Sequence, residues 1–195
     1  NRKNGFPAEA ENADIHEKTF KVAYTREKGL WINIGGKDLG VAQSEKDGIV
    51  YGESVHRQEF GITKGTFWSP SGRYLAFYRM DESMVTPYPV YILDSMPAQA
   101  RQLRYPYAGA MSHHVTLGVY DTQTGAKWYL DTGEPAKQYL TNIAWTPDDK
   151  YILIAVVNRG QDHMWLRQYD TATGDLLNTL FEESSEKWVE PEHPA

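Results

Sequence analysis

The chain has no cysteine in its 195 residues, which excludes disulfides, Cys-ligated zinc and a thiol nucleophile. It has no run rich in Lys and Arg, and its formal net charge is −6. Binding a polyanion requires a basic face that displaces counterions, so nucleic acid is set aside as a partner. Long hydrophobic runs are also missing: the longest purely apolar or aromatic stretch, Tyr151–Val157, falls far short of the ~20 residues of a membrane-spanning helix. The chain opens Asn1-Arg2-Lys3-Asn4-Gly5, with neither Met nor an apolar leader segment. A piece of something longer is expected in preference to a chain from which a signal peptide was removed.

What is abundant is aromatic. Thirteen Tyr, six Trp and six Phe bring the aromatic share to 13%, a composition that suits strands, where flat and β-branched side chains pack on a pleated surface. Two turn motifs recur. Phe67-Trp68-Ser69-Pro70-Ser71-Gly72-Arg73-Tyr74-Leu75-Ala76-Phe77 returns as Ala144-Trp145-Thr146-Pro147-Asp148-Asp149-Lys150-Tyr151-Ile152-Leu153-Ile154. The proline presets φ at the second turn position and the small polar residues around it suit a type I reversal, so each copy is a hairpin between short apolar strands. Tyr120-Asp121-Thr122-Gln123-Thr124-Gly125 is echoed by Tyr169-Asp170-Thr171-Ala172-Thr173-Gly174, where the Asp can cap the turn and the Gly can take positive φ.

In order these give strand, Trp-x-Pro turn, strand, strand, Asp-Thr-x-Thr-Gly turn, strand: a four-stranded antiparallel meander, the unit of a β-propeller. The expected fold is all-β, with about three such blades. A partial blade runs over 19–52, with strands at Phe20–Tyr24 and Leu30–Ile34. A full blade covers 65–130 and is split by an insertion over 80–114. A third spans 139–181. The insertion accounts for Trp68 and Trp145 lying 77 apart while Asp121 and Asp170 lie 49 apart. A β-sandwich also has short strands and regular turns, but it seldom repeats one turn motif at blade spacing. Propellers close with about four to eight blades, so an arc of a larger ring is expected.

Catalytic groups are sparse. No serine sits in a Gly-x-Ser-x-Gly elbow, since Gly52-Glu53-Ser54 continues as Val55-His56. His113-His114 would point to opposite faces of a strand beginning there, which prevents both from holding one ion. His16, His56, His163 and His193 are scattered, so no metal or other cofactor is expected. Asp81-Glu82 and Glu182-Glu183 are neighbours in sequence and poorly placed to face each other across a sugar; they read as structural or solvated.

Gly65–Pro70, Leu75–Val85, Tyr105-Pro106-Tyr107-Ala108-Gly109, Tyr139–Trp145 and Val189-Glu190-Pro191-Glu192-His193-Pro194 together resemble the propeller of the dipeptidyl peptidase IV branch of the prolyl oligopeptidase family. The likeness runs from about Thr19 to the C-terminus. Two stretches depart from dipeptidyl peptidase IV itself: Gly52–Ile62 has no adjacent glutamates, and Ser112-His113-His114-Val115 replaces an Asn-Pro. Both are similar to bacterial prolyl tripeptidyl aminopeptidases.

The resemblance implies a longer serine peptidase, secreted or periplasmic in a bacterium. It would have a propeller of about eight blades and a C-terminal α/β-hydrolase domain as partner, would act on peptides with proline near the N-terminus, and would form a homo-oligomer. It also implies that this piece, inactive alone, gates substrate entry and helps recognise the N-terminus. Glu59 falls in the segment that in the family carries glutamates toward the active site, where a carboxylate can pair with a peptide α-ammonium. A salt bridge from Glu59 to Arg57 or Lys64 is the alternative for that residue. For the whole chain the alternative is a non-enzymatic interaction scaffold, a common use of the fold.

Overall fold

The repeated turns form as their chemistry dictates. In a computed structural model that describes residues 7–43 and 46–191, Gly72 N–H bonds Ser69 C=O at 2.8 Å and Asp149 N–H bonds Thr146 C=O at 3.0 Å, closing the two Trp-x-Pro reversals. Asp121 accepts from the Gln123 N–H and Asp170 from the Ala172 and Thr173 N–H groups. Gly125 and Gly174 follow at φ 76° and 82°, where an L side chain would be strained.

The strands fall into three antiparallel blades and one projecting hairpin. The first sheet is β1 (Glu11–Ile15), β2 (Val22–Arg26), β3 (Gly29–Ile34) and β4 (Lys37–Ala42), in sequence order. It is a complete four-stranded blade where the sequence suggested a partial one over 19–52. Its first strand precedes Thr19, and Phe20 lies outside β2, exposed and at φ 56°. The second sheet takes β5 (Ile49–Tyr51), β6 (Thr66–Trp68), β7 (Tyr74–Asp81), β10 (His114–Asp121) and β11 (Lys127–Tyr129). Ile49–Tyr51 therefore belongs to the second blade and not the first. Between β7 and β10 stands a hairpin of its own, β8 (Pro87–Ile92) and β9 (Gln99–Arg104). The third sheet is β12 (Gln138–Trp145), β13 (Tyr151–Asn158), β14 (His163–Asp170) and β15 (Leu176–Ser184). The architecture is a partial β-propeller.

Apolar side chains on the facing sheets make the cores. Leu30, Ile32, Leu75 and Phe77 join the first blade to the second, and Ala76, Tyr78, Leu117, Ile152, Ile154 and Tyr169 join the second to the third. The repeated tryptophans stitch these layers together. Trp68 Nε1 donates to the carbonyl of Asp14 at 3.0 Å, and Trp145 Nε1 to that of Phe67 at 3.1 Å, so each opening strand bonds the opening strand of the preceding blade. An indole N–H withdrawn from water is satisfied by such a partner, which offsets the cost of its desolvation.

β5 and β6 both pair with β7, Ile49–Tyr51 against Asp81–Arg79 and Thr66–Trp68 against Phe77–Leu75. They are two halves of one strand, parted opposite Tyr78. The Tyr78 C=O accepts from Gly52 N–H and its N–H donates to Gly65 C=O, both at 2.9 Å, so one residue closes the neck of the excursion 53–64. The neck is narrow enough that a Cβ at Gly65 would collide with the carbonyl of Glu53.

The Tyr78 hydroxyl reaches the third blade, donating to Leu140 C=O at 2.9 Å in a buried setting. Tyr78→Phe removes that donor and leaves a buried carbonyl short of a partner, a change that typically costs about 1–3 kcal/mol. The expected outcome is a lower denaturant midpoint with an unchanged m-value in urea unfolding. Unaltered stability would show that Leu140 C=O has other support.

Candidate functional site

The excursion leaves the second blade as a turn that its residues would not choose. His56, Arg57, Gln58 and Phe60 all lie at positive φ (53°, 55°, 66° and 56°), a left-handed conformation that non-glycine residues avoid unless their surroundings enforce it. Three clamps do so here. Phe60 is buried among Ala155, Val157, Met164 and Val189, and its carbonyl accepts from Thr141 Oγ1 at 3.2 Å. Arg57 donates through Nη2 to the carbonyl of Arg104 and lies over the Tyr105 ring, 5.0 Å from its centroid. His56 is buried between His113 and Tyr139, with ring centroids 5.0 and 4.9 Å away.

The hydrogen bonds around His56 assign both imidazole tautomers. His56 Nε2 accepts from Leu140 N–H at 3.4 Å, so the ring proton is on Nδ1. That Nδ1–H donates to His113 Nε2 at 3.0 Å, and the His56 main-chain N–H donates to the same atom at 3.3 Å. His113 is therefore protonated on Nδ1 alone, and both rings are neutral. Burial is the main cause in each case, reinforced by nearby positive charge. Burial, His113 and Arg159 hold His56 well below the usual histidine range, and burial, Arg57, Arg159 and His114 lower His113 to about 4.

A cleft of about 1150 Å³ opens between the first blade, the excursion and the base of the hairpin, and its walls include Glu53, Arg57, Gln58, Glu82, Arg104 and His113. Arg104 fixes the hairpin base. It donates to the carbonyls of Ser83 and Val85 at 3.3 and 3.0 Å and pairs with Asp47 at 2.6 Å. Glu53 and Glu82 are half-buried and form no ion pair among the described residues. Burial raises the affinity of both for protons, and for Glu53 the nearby Glu82 and Glu11 raise it further.

Glu59 follows the cleft-lining Arg57 and Gln58 and is exposed. Neither cation expected as its structural partner takes that role. Lys64 pairs with Asp14 at 3.2 Å, Arg57 is engaged by Arg104 and Tyr105, and no ion pair among the described residues includes Glu59. His113 and His114 separate as a strand start requires, the first buried and the second half-buried. No group of three or more His, Asp or Glu that could hold a metal occurs among the described residues. His193 of the C-terminal motif lies outside the described residues, as do Glu192 and Pro194. Sequence reasoning missed Glu53 and Glu82 as cleft residues. The available signal was the place of Glu82 near the start of the insertion, in the Asp81-Glu82 pair that reads from sequence as structural or solvated.

The family model of the dipeptidyl peptidase IV N-terminal region matches residues 4–195. The chain belongs to that family. Among solved structures it is similar to a Bacteroides ovatus protein ascribed to dipeptidyl aminopeptidase IV, with 46% identity and a TM-score of 0.89, covering 96% of this chain and 26% of that one. Porphyromonas gingivalis dipeptidyl peptidase 4 shares the fold at 21% identity and a TM-score of 0.84, over 92% and 26% of the two chains. A curated relative named for dipeptidyl-aminopeptidase B, from Pyrenophora tritici-repentis, is 28% identical over 91% of this chain and 24% of its own length. The chain thus spans about a quarter of the length of these relatives. As a dipeptidyl peptidase IV N-terminal region it supplies a propeller arc and no Gly-x-Ser-x-Gly elbow.

The neutral histidine pair makes stability depend on pH. His113 binds a proton near 6.5 when unfolded and near 4 when folded, so its contribution is complete above 6.5 and is lost as pH falls toward 4. At about 1.4 kcal/mol for each tenfold in proton affinity, the full effect is on the order of 3 kcal/mol. Melting temperatures at pH 7 and pH 4.5 should therefore fall less for His113→Gln, which keeps an acceptor and cannot titrate, than for the parent protein. Equal falls in the two proteins would remove His113 from the acid response.

Proposed function

We propose that this chain is the propeller portion of a secreted or periplasmic proline-specific serine exopeptidase, where it gates access and receives the N-terminus of the peptide. In this reading an α/β-hydrolase domain of the same protein supplies the triad, and the product is a di- or tripeptide ending in proline. The homologous peptidases support the reaction class. The observation that carries the recognition role is Glu59: its carboxylate stands exposed and free of ion pairs among the described residues, while Arg57 and Phe60 in the same turn are clamped. A carboxylate presented from a rigid loop meets an ammonium without first losing the freedom of a mobile chain, and it gauges the distance from N-terminus to scissile bond. The assembled enzyme is a homo-oligomer in this reading.

A second reading places the ammonium on Glu53 and Glu82. It is favoured by their position inside the cleft, where burial raises the proton affinity of both carboxyls and neither forms an ion pair among the described residues. Substitution separates the two readings. In the complete enzyme, Glu59→Gln is expected to lower kcat/KM on free-amine peptides at least about tenfold, equivalent to about 1.4 kcal/mol. N-acylated substrates are already poor and should lose little more, because they bring no cation. Parallel losses on free and blocked substrates would reject Glu59 as the ammonium partner, and the same selective loss in Glu53→Gln alone would transfer the role to the cleft pair. Product length on Xaa-Pro and Xaa-Xaa-Pro peptides decides between dipeptide and tripeptide release. The isolated chain should hydrolyse neither.

A further inference from the structure

The turn that presents Glu59 is held from outside, and its most demanding clamp is the contact between two imidazoles. His56 makes three hydrogen bonds to two other segments: one from Leu140 N–H on β12, and two to the His113 ring ahead of β10, whose Nε2 takes both the His56 Nδ1–H and the His56 main-chain N–H. The main-chain bond matters most for the turn. A residue at φ 53° directs its N–H away from the path of a regular strand, and His113 Nε2 meets it there.

We propose that His113 is a positioning residue: acting through His56, it locks the left-handed turn 56–60 and so fixes where the Glu59 carboxylate stands. The inference rests on the reading of Glu59 as the ammonium acceptor, but the clamp and the acceptor can be tested apart. Glu53 and Glu82 line the same cleft as the pair and form no ion pair with it, and the charges that act on the two rings argue for a neutral lock. Arg57 on the turn, Arg159 after β13 and His114 on β10 all disfavour a further proton, and Tyr139 on β12 packs edge-on against the His56 ring. A proton on His113 Nε2 would set a donor against the two donors of His56, and a proton on His56 Nε2 would oppose Leu140 N–H. Acid therefore opens the same lock that substitution opens.

The test uses the complete peptidase. His113→Leu removes the acceptor, and His113→Gln returns an amide oxygen near the position of Nε2 without a titrating group. For free-amine substrates His113→Leu is expected to raise KM at least about fivefold while kcat falls by a smaller factor. N-acylated substrates should show no comparable rise, and His113→Gln should recover most of the loss. Hydrogen exchange read by mass spectrometry on the peptide covering 55–62 should quicken at least about tenfold in His113→Leu and recover in His113→Gln. If His113→Leu does not fold, the parent protein supplies the same comparison. After correction for intrinsic rates, its 55–62 peptide should lose protection between pH 6 and pH 4, and that of His113→Gln should not.

Unchanged exchange in 55–62 for His113→Leu, or identical pH responses of parent and His113→Gln, overturns the inference. A selective KM effect of Glu59→Gln with no KM effect of His113→Leu also overturns it and leaves the Glu59 reading intact. If Glu59→Gln is silent, the Glu59 reading falls, and a loosened 55–62 segment in His113→Leu still supports the lock.

Discussion

Tyr78 holds the three functional parts of this arc in one place. Its main chain closes the excursion at Gly52 and Gly65, and its hydroxyl bonds Leu140 C=O on the third blade. Leu140 is fully buried, and its N–H is taken by His56. The strand edge at Leu140, buried but unpaired by another strand, is thus satisfied by two side chains from the neighbouring blade. Buried main-chain groups without partners are costly, so the position of the third blade and that of the excursion depend on each other.

The second blade carries both of the chain's departures from a plain meander, and both adjoin its β7 strand. The excursion leaves from the strand paired with β7, and the hairpin continues from its end. Arg104 ties the hairpin base to Asp47 and to the segment after β7, and Arg57 ties the excursion to Arg104. The cleft is bounded by pieces that are braced against one another, so its shape follows from the blade and does not rely on mobile loops. Its electrostatics are mixed. Arg57 and Arg104, which hold the architecture, are engaged, whereas Glu53 and Glu82 form no ion pair among the described residues.

The turn chemistry was legible in the sequence because it is local. A proline at the second position, an Asp that bonds the main chain two residues on and a Gly at positive φ each act within a few residues, and each recurs. The first strand escaped notice because Glu-Asn-Ala-Asp-Ile has no apolar alternation and is mostly exposed. Ile49–Tyr51 was placed in the wrong blade because its pairing with Arg79–Asp81 spans the whole excursion, and nothing local signals two strand halves sharing one partner. The conformation of 56–60 could not be read at all. Left-handed His, Arg, Gln and Phe are enforced by His113, Tyr105, Tyr139 and the third blade, residues distant in sequence, and the choice of Glu59 came from its place in the chain and not from any local rule.

The tryptophan bonds also make the seams between blades two-way. Trp68 donates back to Asp14 and Trp145 back to Phe67, while Trp128 donates forward to the carbonyl of Thr171. The second and third blades are thus pinned by an indole from each side, at two separate places. Sliding one of these blades over the other would leave an N–H of both without its acceptor, so the pair bears a shear as a unit.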